Sequence, residues 1–158
     1  MRLFSVQKEI EFDAGHRVPL HASKCRNPHG HRYRVQATVA GHLQEEGSST
    51  GMVIDFGDIK RILTERVHDV FDHGFIVHSQ DVQMMKALGQ WYDPEQQMYV
   101  NSNGWKVIVV GWTPTAEEMA AAIYRDLSYH IPGLQYIDVW ETPTSVASYP
   151  FVVAREVD

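Results

Sequence analysis

The stretch "HRYRVQATVAGH", residues 31–42, indicates how this chain folds because its polarity alternates at every second position. Alternation of this kind places apolar side chains on one face of an extended strand and polar ones on the other. The apolar side chains are Tyr33, Val35, Ala37 and Val39, and the polar ones are Arg32, Arg34, Gln36 and Thr38. The pattern predicts a half-buried strand from about His31 to Gly41.

A second strand is predicted near the start of the chain. The segment "RLFSVQKEIEF", residues 2–12, alternates less regularly, which leaves room for a bulge. Beyond Gly41, the segment "QEEGSSTGM", residues 44–52, has the glycines and serines of a turn. We expect the two strands to belong to one antiparallel sheet.

Two segments have the periodicity of amphipathic helices. The first, "GDIKRILTERVHDVF" at 57–71, has Asp58 as its expected N-cap. The second, "TPTAEEMAAAIYRDLSYH" at 113–130, has Thr115 as its expected N-cap and Glu118 as the partner in a capping box. This helix is expected to end before the Pro-Gly pair that follows it.

The remaining segments predict shorter elements. They are a short helix at 82–88, a strand "WKVIVVGW" at 105–112, and strands "YIDVWET" at 136–142 and "FVVAREV" at 151–157 separated by the turn-rich "PTSVASYP". Strands and helices in this order favour an α+β fold, an antiparallel sheet with the two main helices packed on one face.

The composition favours one domain over residues 1–158, because the chain is 44% hydrophobic and has no repeat or linker. Its 14 Lys+Arg against 20 Asp+Glu give a net charge of -6, which disfavours nucleic acid as a partner. One cysteine excludes an internal disulfide, and no apolar run reaches the roughly 20 residues that cross a bilayer. We therefore expect a cytoplasmic protein that binds no membrane.

Two histidines flank a glycine at the entrance to the alternating strand. In extended backbone, His29 and His31 project from the same face, where two neutral imidazoles can share a metal ion. His16 ends the first predicted strand, in "FDAGHR", and antiparallel pairing can bring it opposite them. Three histidines with an open fourth position are typical of a catalytic zinc site. The alternative is that these are surface or hydrogen-bonded histidines.

The only cysteine, Cys25, lies four residues before His29, and Lys24 and Arg26 flank it. Adjacent cations favour the thiolate form. The thiolate can be a fourth ligand that closes a structural zinc site, or a base or nucleophile that faces a substrate held by the metal. Burial as a small apolar side chain is a third interpretation, which the polar loop around it disfavours.

Two acidic positions are further candidates. Asp72 precedes His73 in "FDHGF", where a carboxylate can orient an imidazole for proton transfer. Glu141 closes the strand "DVWET", where a carboxylate can accept paired N–H groups from a planar heterocycle. Each can equally be a solvated surface group.

Together and in this order, the segments resemble the 6-pyruvoyl-tetrahydropterin synthase and 6-carboxytetrahydropterin synthase family, which has the T-fold. The motifs are "FDAGHR", "CRNPHGHRYRV", "GMVIDFGDIK", "FDHGF", "PTAEEMA" and "VWET". The three residues between Cys25 and His29 are similar to the bacterial carboxy-forming branch, on the queuosine side of pterin chemistry.

The resemblance implies a role for each candidate residue. The implied zinc ligands are His16, His29 and His31. The residues implied for catalysis are Cys25, as a proton-transferring thiol rather than a ligand, and its partner dyad Asp72 and His73. The implied substrate contacts are Glu141, which anchors the pterin ring, and Thr115.

The resemblance also implies an activity and an assembly. The activity is zinc-dependent conversion of 7,8-dihydroneopterin triphosphate to 6-carboxy-5,6,7,8-tetrahydropterin, acetaldehyde and triphosphate, without a redox cofactor. The assembly is a homo-hexamer of two trimers whose sheets close into barrels, with sites where subunits meet, so that an isolated monomer is inactive.

Two departures from the family pattern leave alternatives open. The segment 79–112 is longer than in compact bacterial members, and "PTSVASY" after Glu141 lacks a cysteine-rich tail. The alternatives are a pyruvoyl-forming synthase, a relative that cleaves a dihydropterin side chain, and a zinc-containing T-fold binding protein without turnover.

Overall fold

The computed structural model describes residues 2–151 as a six-stranded sheet, a separate two-stranded hairpin and helices. In chain order the elements are β1 (Phe4–His16), β2 (His29–Gly41), α1 (Phe56–Leu63), α2 (Asp69–Phe71), β3 (Gly74–His78), α3 (Val82–Ala87), β4 (Gln90–Asp93), β5 (Met98–Asn101), β6 (Val107–Val110), α4 (Ala116–Leu127), β7 (Leu134–Thr142) and β8 (Ser145–Tyr149). A 3-10 turn spans Lys24–Arg26, and a π-helical turn at Thr64–His68 joins α1 to α2.

The pairing of β1 with β2 is antiparallel and unbroken over 13 residues of each strand, from Phe4 opposite Gly41 to His16 opposite His29. The less regular alternation of β1 therefore reflects its composition and not a bulge. Register shifts occur instead between β2 and β7 and between β7 and β8. The continuous ladder fixes which side chains share a face.

The sheet is mixed, which corrects the predicted antiparallel sheet. The strand order is β6-β3-β1-β2-β7-β8, and β3 runs parallel to both β1 and β6. The sequence analysis did not identify β3 as a strand. Parallel neighbours need a long crossover, and the segment 79–106 supplies one between β3 and β6.

The main helices pack on one face of the sheet, as the sequence predicts. The larger of two apolar clusters joins α1 and α4 to the inward face of the sheet, and its largest buried side chains include Tyr33, Ile59, Leu63, Met119 and Leu127. The short α3 lies on the opposite face, where Met84 and Met85 pack near Val77. Among residues 2–151, no helix is both long and apolar enough to cross a membrane.

The helix starts differ in how well the sequence predicts them. The first helix is capped by Asp55, not by Asp58, because the Asp55 carboxylate accepts the Gly57 N–H at 2.6 Å and Asp58 lies within the first turn. Thr115 caps α4 as predicted, accepting the Glu118 N–H at 3.4 Å. The reciprocal half of the capping box is replaced, since the Thr115 N–H donates to the Thr113 carbonyl.

Two further regions differ from the sequence-based expectations. The predicted turn after β7 contains the edge strand β8, because Pro143 and Thr144 are sufficient to reverse the chain and an edge strand needs little apolar alternation. Within 79–112, β4 and β5 form an unpredicted hairpin whose turn is held by the Asp93 carboxylate. The strand predicted at 151–157 lies, except for Phe151, outside the described residues.

A largely buried ion pair joins the end of β1 to the start of α3. Arg17 Nε donates to Asp81 Oδ2 at 2.6 Å, and Arg17 Nη2 donates to Asp81 Oδ1 at 2.5 Å. The same carboxylate accepts the Met84 N–H at 3.1 Å as the cap of α3. The hydrogen bonds from Arg17 hold the pKa of Asp81 below its usual range.

We expect Asp81→Ala to lower the free energy of unfolding by about 3 kcal/mol, because the guanidinium of Arg17, whose side chain is 14% exposed, loses its partner. The matched control, Glu65→Ala, breaks the exposed pair with Arg61 and should cost about 0.5 kcal/mol or less. Urea denaturation of both variants measures the difference.

The pH dependence gives a second readout of this pair. A depressed folded-state pKa contributes stability that is complete above the unfolded value of about 3.9 and is lost as pH falls through the folded value. The gap between wild type and Asp81→Ala should therefore close on acidification. Equal, small losses in both variants would show that solvent screens the Arg17–Asp81 pair.

Candidate active site

Three histidines meet at one end of the β1–β2 ladder. His16 lies opposite His29, and His31 lies opposite Ala14, so all three project toward the helices. Their ring centroids are 4.5 to 5.2 Å apart, and one nitrogen of each lies within 4.8 Å of the others. The strand geometry inferred from the sequence therefore brings the three imidazoles together.

Hydrogen bonds assign the proton on two of these rings. His16 Nδ1 lies 2.7 Å from the Pro114 carbonyl, and His29 Nδ1 lies 2.7 Å from the Asn27 carbonyl, so each Nδ1–H donates. Their Nε2 atoms are then free to accept. The Nε2 atoms of His16 and His31 are buried without a hydrogen-bond partner, which a metal ion would supply.

In two of the three histidines, burial favours the neutral form of the imidazole, which is the form that binds a metal. Burial lowers the pKa of His16 and of His31. The Glu141 carboxylate opposes this effect on both pKa values, with its Oε1 atom 3.3 Å from His16 Nε2 and 3.8 Å from His31 Nε2. Burial has the larger effect. Three imidazoles with a carboxylate beside them fit a divalent metal with an open position.

The glycine between two of the histidines is favoured by the close packing of the sheet. A side chain at Gly30 would place its Cβ 3.1 Å from the Ala14 carbonyl oxygen. On the neighbouring strand, a Cβ at Gly15 would lie 2.7 Å from the ring of Phe75. The absence of both side chains allows β1, β2 and β3 to approach at the level of the histidines.

Cys25 lies beside the histidine group and not within it. The thiol is half-buried on the Lys24–Arg26 turn, and its Sγ does not belong to the metal-compatible group found among residues 2–151. The Cys25 carbonyl accepts the Val18 N–H at 2.8 Å, which closes the loop. Cys25 lines a cavity of about 230 Å³ together with His16 and Glu141. This placement disfavours a four-ligand structural site.

The same cavity contains the predicted contact Thr115 and two residues that the sequence analysis did not select. These are Glu117, in the first turn of α4, and His21, in the loop before Cys25. The acidic first turn was a signal for Glu117, but it indicated only helix capping. The hydroxyl of Thr115 is itself occupied by the cap of α4.

Asp72 and His73 lie on the surface of the same chain, away from the cavity that Cys25 lines. Asp72 Oδ2 accepts from His73 Nδ1 at 2.6 Å, and Asp72 Oδ1 accepts the Asp13 N–H at 3.0 Å. The Asp13 N–H and then His73 lower the pKa of Asp72. The His73 side chain is 80% exposed, and neither residue lines the cavity of Cys25. The structure forms the predicted dyad but does not join it to Cys25 within one chain.

His73 also has an unusual backbone. Its φ is 56°, in the left-handed region that few residues other than glycine adopt. The His73 N–H donates to the Asp13 carbonyl at 2.7 Å, which holds this conformation. The backbone therefore presents the imidazole outward at a conformational cost.

Comparisons with known proteins agree with this architecture. The family described as 6-pyruvoyl tetrahydropterin synthase matches residues 5–150. A 6-carboxy-5,6,7,8-tetrahydropterin synthase of Haemophilus influenzae is 34% identical over 151 residues, covering 93% of this chain and 99% of its own. A protein of the same name from Synechocystis is 32% identical over 149 residues, covering 93% of each chain.

Solved structures show the same fold. A 6-pyruvoyl tetrahydropterin synthase of Caenorhabditis elegans has a TM-score of 0.63 at 21% identity, covering 94% of this chain and 96% of its own. An uncharacterized protein of Wolinella succinogenes has a TM-score of 0.72 at 22% identity, covering 94% and 98%. The family match spans nearly all of the described fold, and relatives that are more than 30% identical align with most of the chain. This chain therefore belongs to the 6-pyruvoyl tetrahydropterin synthase family.

Proposed function

We propose that this protein is a zinc-dependent 6-carboxy-5,6,7,8-tetrahydropterin synthase. It converts 7,8-dihydroneopterin triphosphate and water to 6-carboxytetrahydropterin, acetaldehyde and triphosphate. The observation that carries the proposal is a group of three histidines with two unpartnered Nε2 atoms, beside a cavity lined by the only cysteine. The names of the relatives from Haemophilus influenzae and Synechocystis support the carboxy-forming branch.

The chain's own residues divide the work. His16, His29 and His31 would hold zinc, which supplies Lewis acidity toward the oxygens of the substrate side chain. Glu141, at the boundary between the histidines and the cavity, orients the substrate by accepting N–H groups of the pterin ring. Thr115 fixes the start of α4 at the cavity wall.

Cys25 transfers protons to and from the carbon atoms next to the oxygens of the substrate side chain. The Cys25 sulfur removes a proton from carbon and returns it at another position, which is general acid–base catalysis. Because Cys25 is outside the metal group, its Sγ is available for this role.

Asp72 and His73 complete the proton path from a neighbouring subunit. Within one chain they face solvent and do not line the Cys25 cavity, so a partner subunit must bring them there. This requirement fits a homo-hexamer in which each site uses two chains. Asp72 orients the imidazole through its 2.6 Å contact with His73 Nδ1.

We expect one zinc ion per chain in the purified protein. His29→Ala should weaken zinc affinity at least about 100-fold, because one ligand is lost, whereas His42→Ala, outside the group, should leave it unchanged. Metal analysis after dialysis against a chelator measures both. Equal metal content in the two variants would refute the three-histidine site.

The affinity of the wild-type protein for zinc should fall only below about pH 6.5. Burial lowers the pKa of His16 and His31, and below that pH protons compete with the metal for their nitrogens.

We expect Cys25→Ala to retain its zinc and to lose about 1,000-fold in turnover, as removal of a general base does. Simultaneous loss of zinc would instead make Cys25 a ligand. His73→Ala should also be inactive with its zinc retained.

Co-expression of these two inactive variants tests whether the site is shared. In randomly mixed assemblies, about a quarter of the sites combine an intact Cys25 with an intact His73, so about that fraction of wild-type turnover should return. In the control, the Cys25→Ala variant is co-expressed with a double variant that carries both Cys25→Ala and His73→Ala. This mixture contains no intact Cys25 thiol. No recovery in the mixed sample would place both residues in one chain.

The function itself is tested by product identification. Incubation of the zinc-loaded protein with dihydroneopterin triphosphate should release acetaldehyde and a product with the mass of 6-carboxytetrahydropterin. A pyruvoyl product would assign the other branch of the family. Tight binding without turnover would indicate a binding protein.

A further inference from the structure

A third buried polar atom accompanies the two histidine nitrogens. Within residues 2–151, the buried side-chain nitrogen and oxygen atoms without a hydrogen-bond partner are His16 Nε2, His31 Nε2 and Tyr33 Oη. The Tyr33 ring lies 5.6 Å from the His31 ring and 5.8 Å from the His16 ring, nearly perpendicular to both. All the unpartnered atoms therefore belong to one cluster of touching rings.

The chemistry of Tyr33 defines what its missing partner must be. The side chain is 1% exposed, and its phenol carries an O–H group. An O–H group donates a hydrogen bond, so the missing partner is an acceptor, most commonly an oxygen.

Packing alone does not require this hydroxyl. The Tyr33 ring stacks on Phe12 at 5.2 Å with an interplanar angle of 22°, within the apolar core under α1 and α4. A phenylalanine would fill the same position. An unpartnered hydroxyl in an apolar core is unfavourable, so its presence indicates a partner that arrives with a ligand.

We propose that Tyr33 is a positioning residue whose hydroxyl donates a hydrogen bond to the oxygen of the ligand that enters the three-histidine site. The inference rests on the proposed metal site. Two of the unpartnered atoms are imidazole nitrogens that accept an electrophile, and the third is a donor that needs an oxygen. A metal ion with an oxygen ligand satisfies all of them at once. Tyr33 thereby favours an oxygen-bearing ligand at the three-histidine site.

The test compares Tyr33→Phe with the matched control Tyr124→Phe, which removes a hydroxyl from α4 outside the site. Both full-length proteins are loaded with cobalt(II), whose visible spectrum reports its ligands, and are titrated with acetate as a small oxygen ligand. We expect the dissociation constant for acetate to rise about tenfold in Tyr33→Phe, because one hydrogen bond to a charged acceptor is lost, and to stay unchanged in Tyr124→Phe.

Thermal unfolding of the metal-free proteins gives an independent readout. Tyr33→Phe should melt at the same temperature as wild type or higher, because the hydroxyl has no partner to lose. A lower melting temperature would mean that the hydroxyl is already bonded, to Glu141 or to a buried water, and would overturn the inference. Equal acetate affinities in all cobalt-loaded proteins would also overturn it, while leaving the metal site intact. A wild-type protein that binds no cobalt would overturn the metal site and this inference together.

Discussion

The antiparallel pairing of β1 with β2 is the constraint on which the rest of the structure depends. Its unbroken register places His16, His29 and His31 on the same face as Tyr33 and Val35. A slip of one residue would turn every side chain of one strand to the other face and separate the imidazoles. The core and the candidate site are therefore fixed by one set of backbone hydrogen bonds.

Because the histidines share a face with the core, the helices that cover the core also affect the hydrogen bonding and the pKa of the histidines. Pro114, just before the cap of α4, accepts the His16 Nδ1–H and so selects the ring nitrogen that faces the site. The same layer removes water, which keeps the pKa of His16 low despite the nearby Glu141. The position of α4 is consequently a chemical property of the site as well as a packing property of the fold.

The features that can be predicted from the sequence are those that a local repeating pattern of residues encodes. The alternation in β2, the apolar stripe of α4 and the His-Gly-His spacing each describe one element, and the structure agrees with each. The mixed sheet could not be predicted in this way, because the parallel pairing of β3 joins segments separated by long crossovers. Glu117 and the orphan hydroxyl of Tyr33 were missed for a similar reason, since their role depends on neighbours from distant elements.

Among residues 2–151, the buried polar side-chain atoms without a partner all lie around the three histidines. On a separate part of the surface, His73 adopts a left-handed backbone that a glycine would adopt more easily, as Gln97 does in the turn between β4 and β5. Elsewhere, groups of comparable polarity are satisfied, as Arg17 and Asp81 are by each other. Phenylalanine at position 33 would remove the unpartnered hydroxyl, and glycine at position 73 would adopt the left-handed backbone more easily. The chain carries a polar side chain at both positions, and packing within one chain requires neither of them.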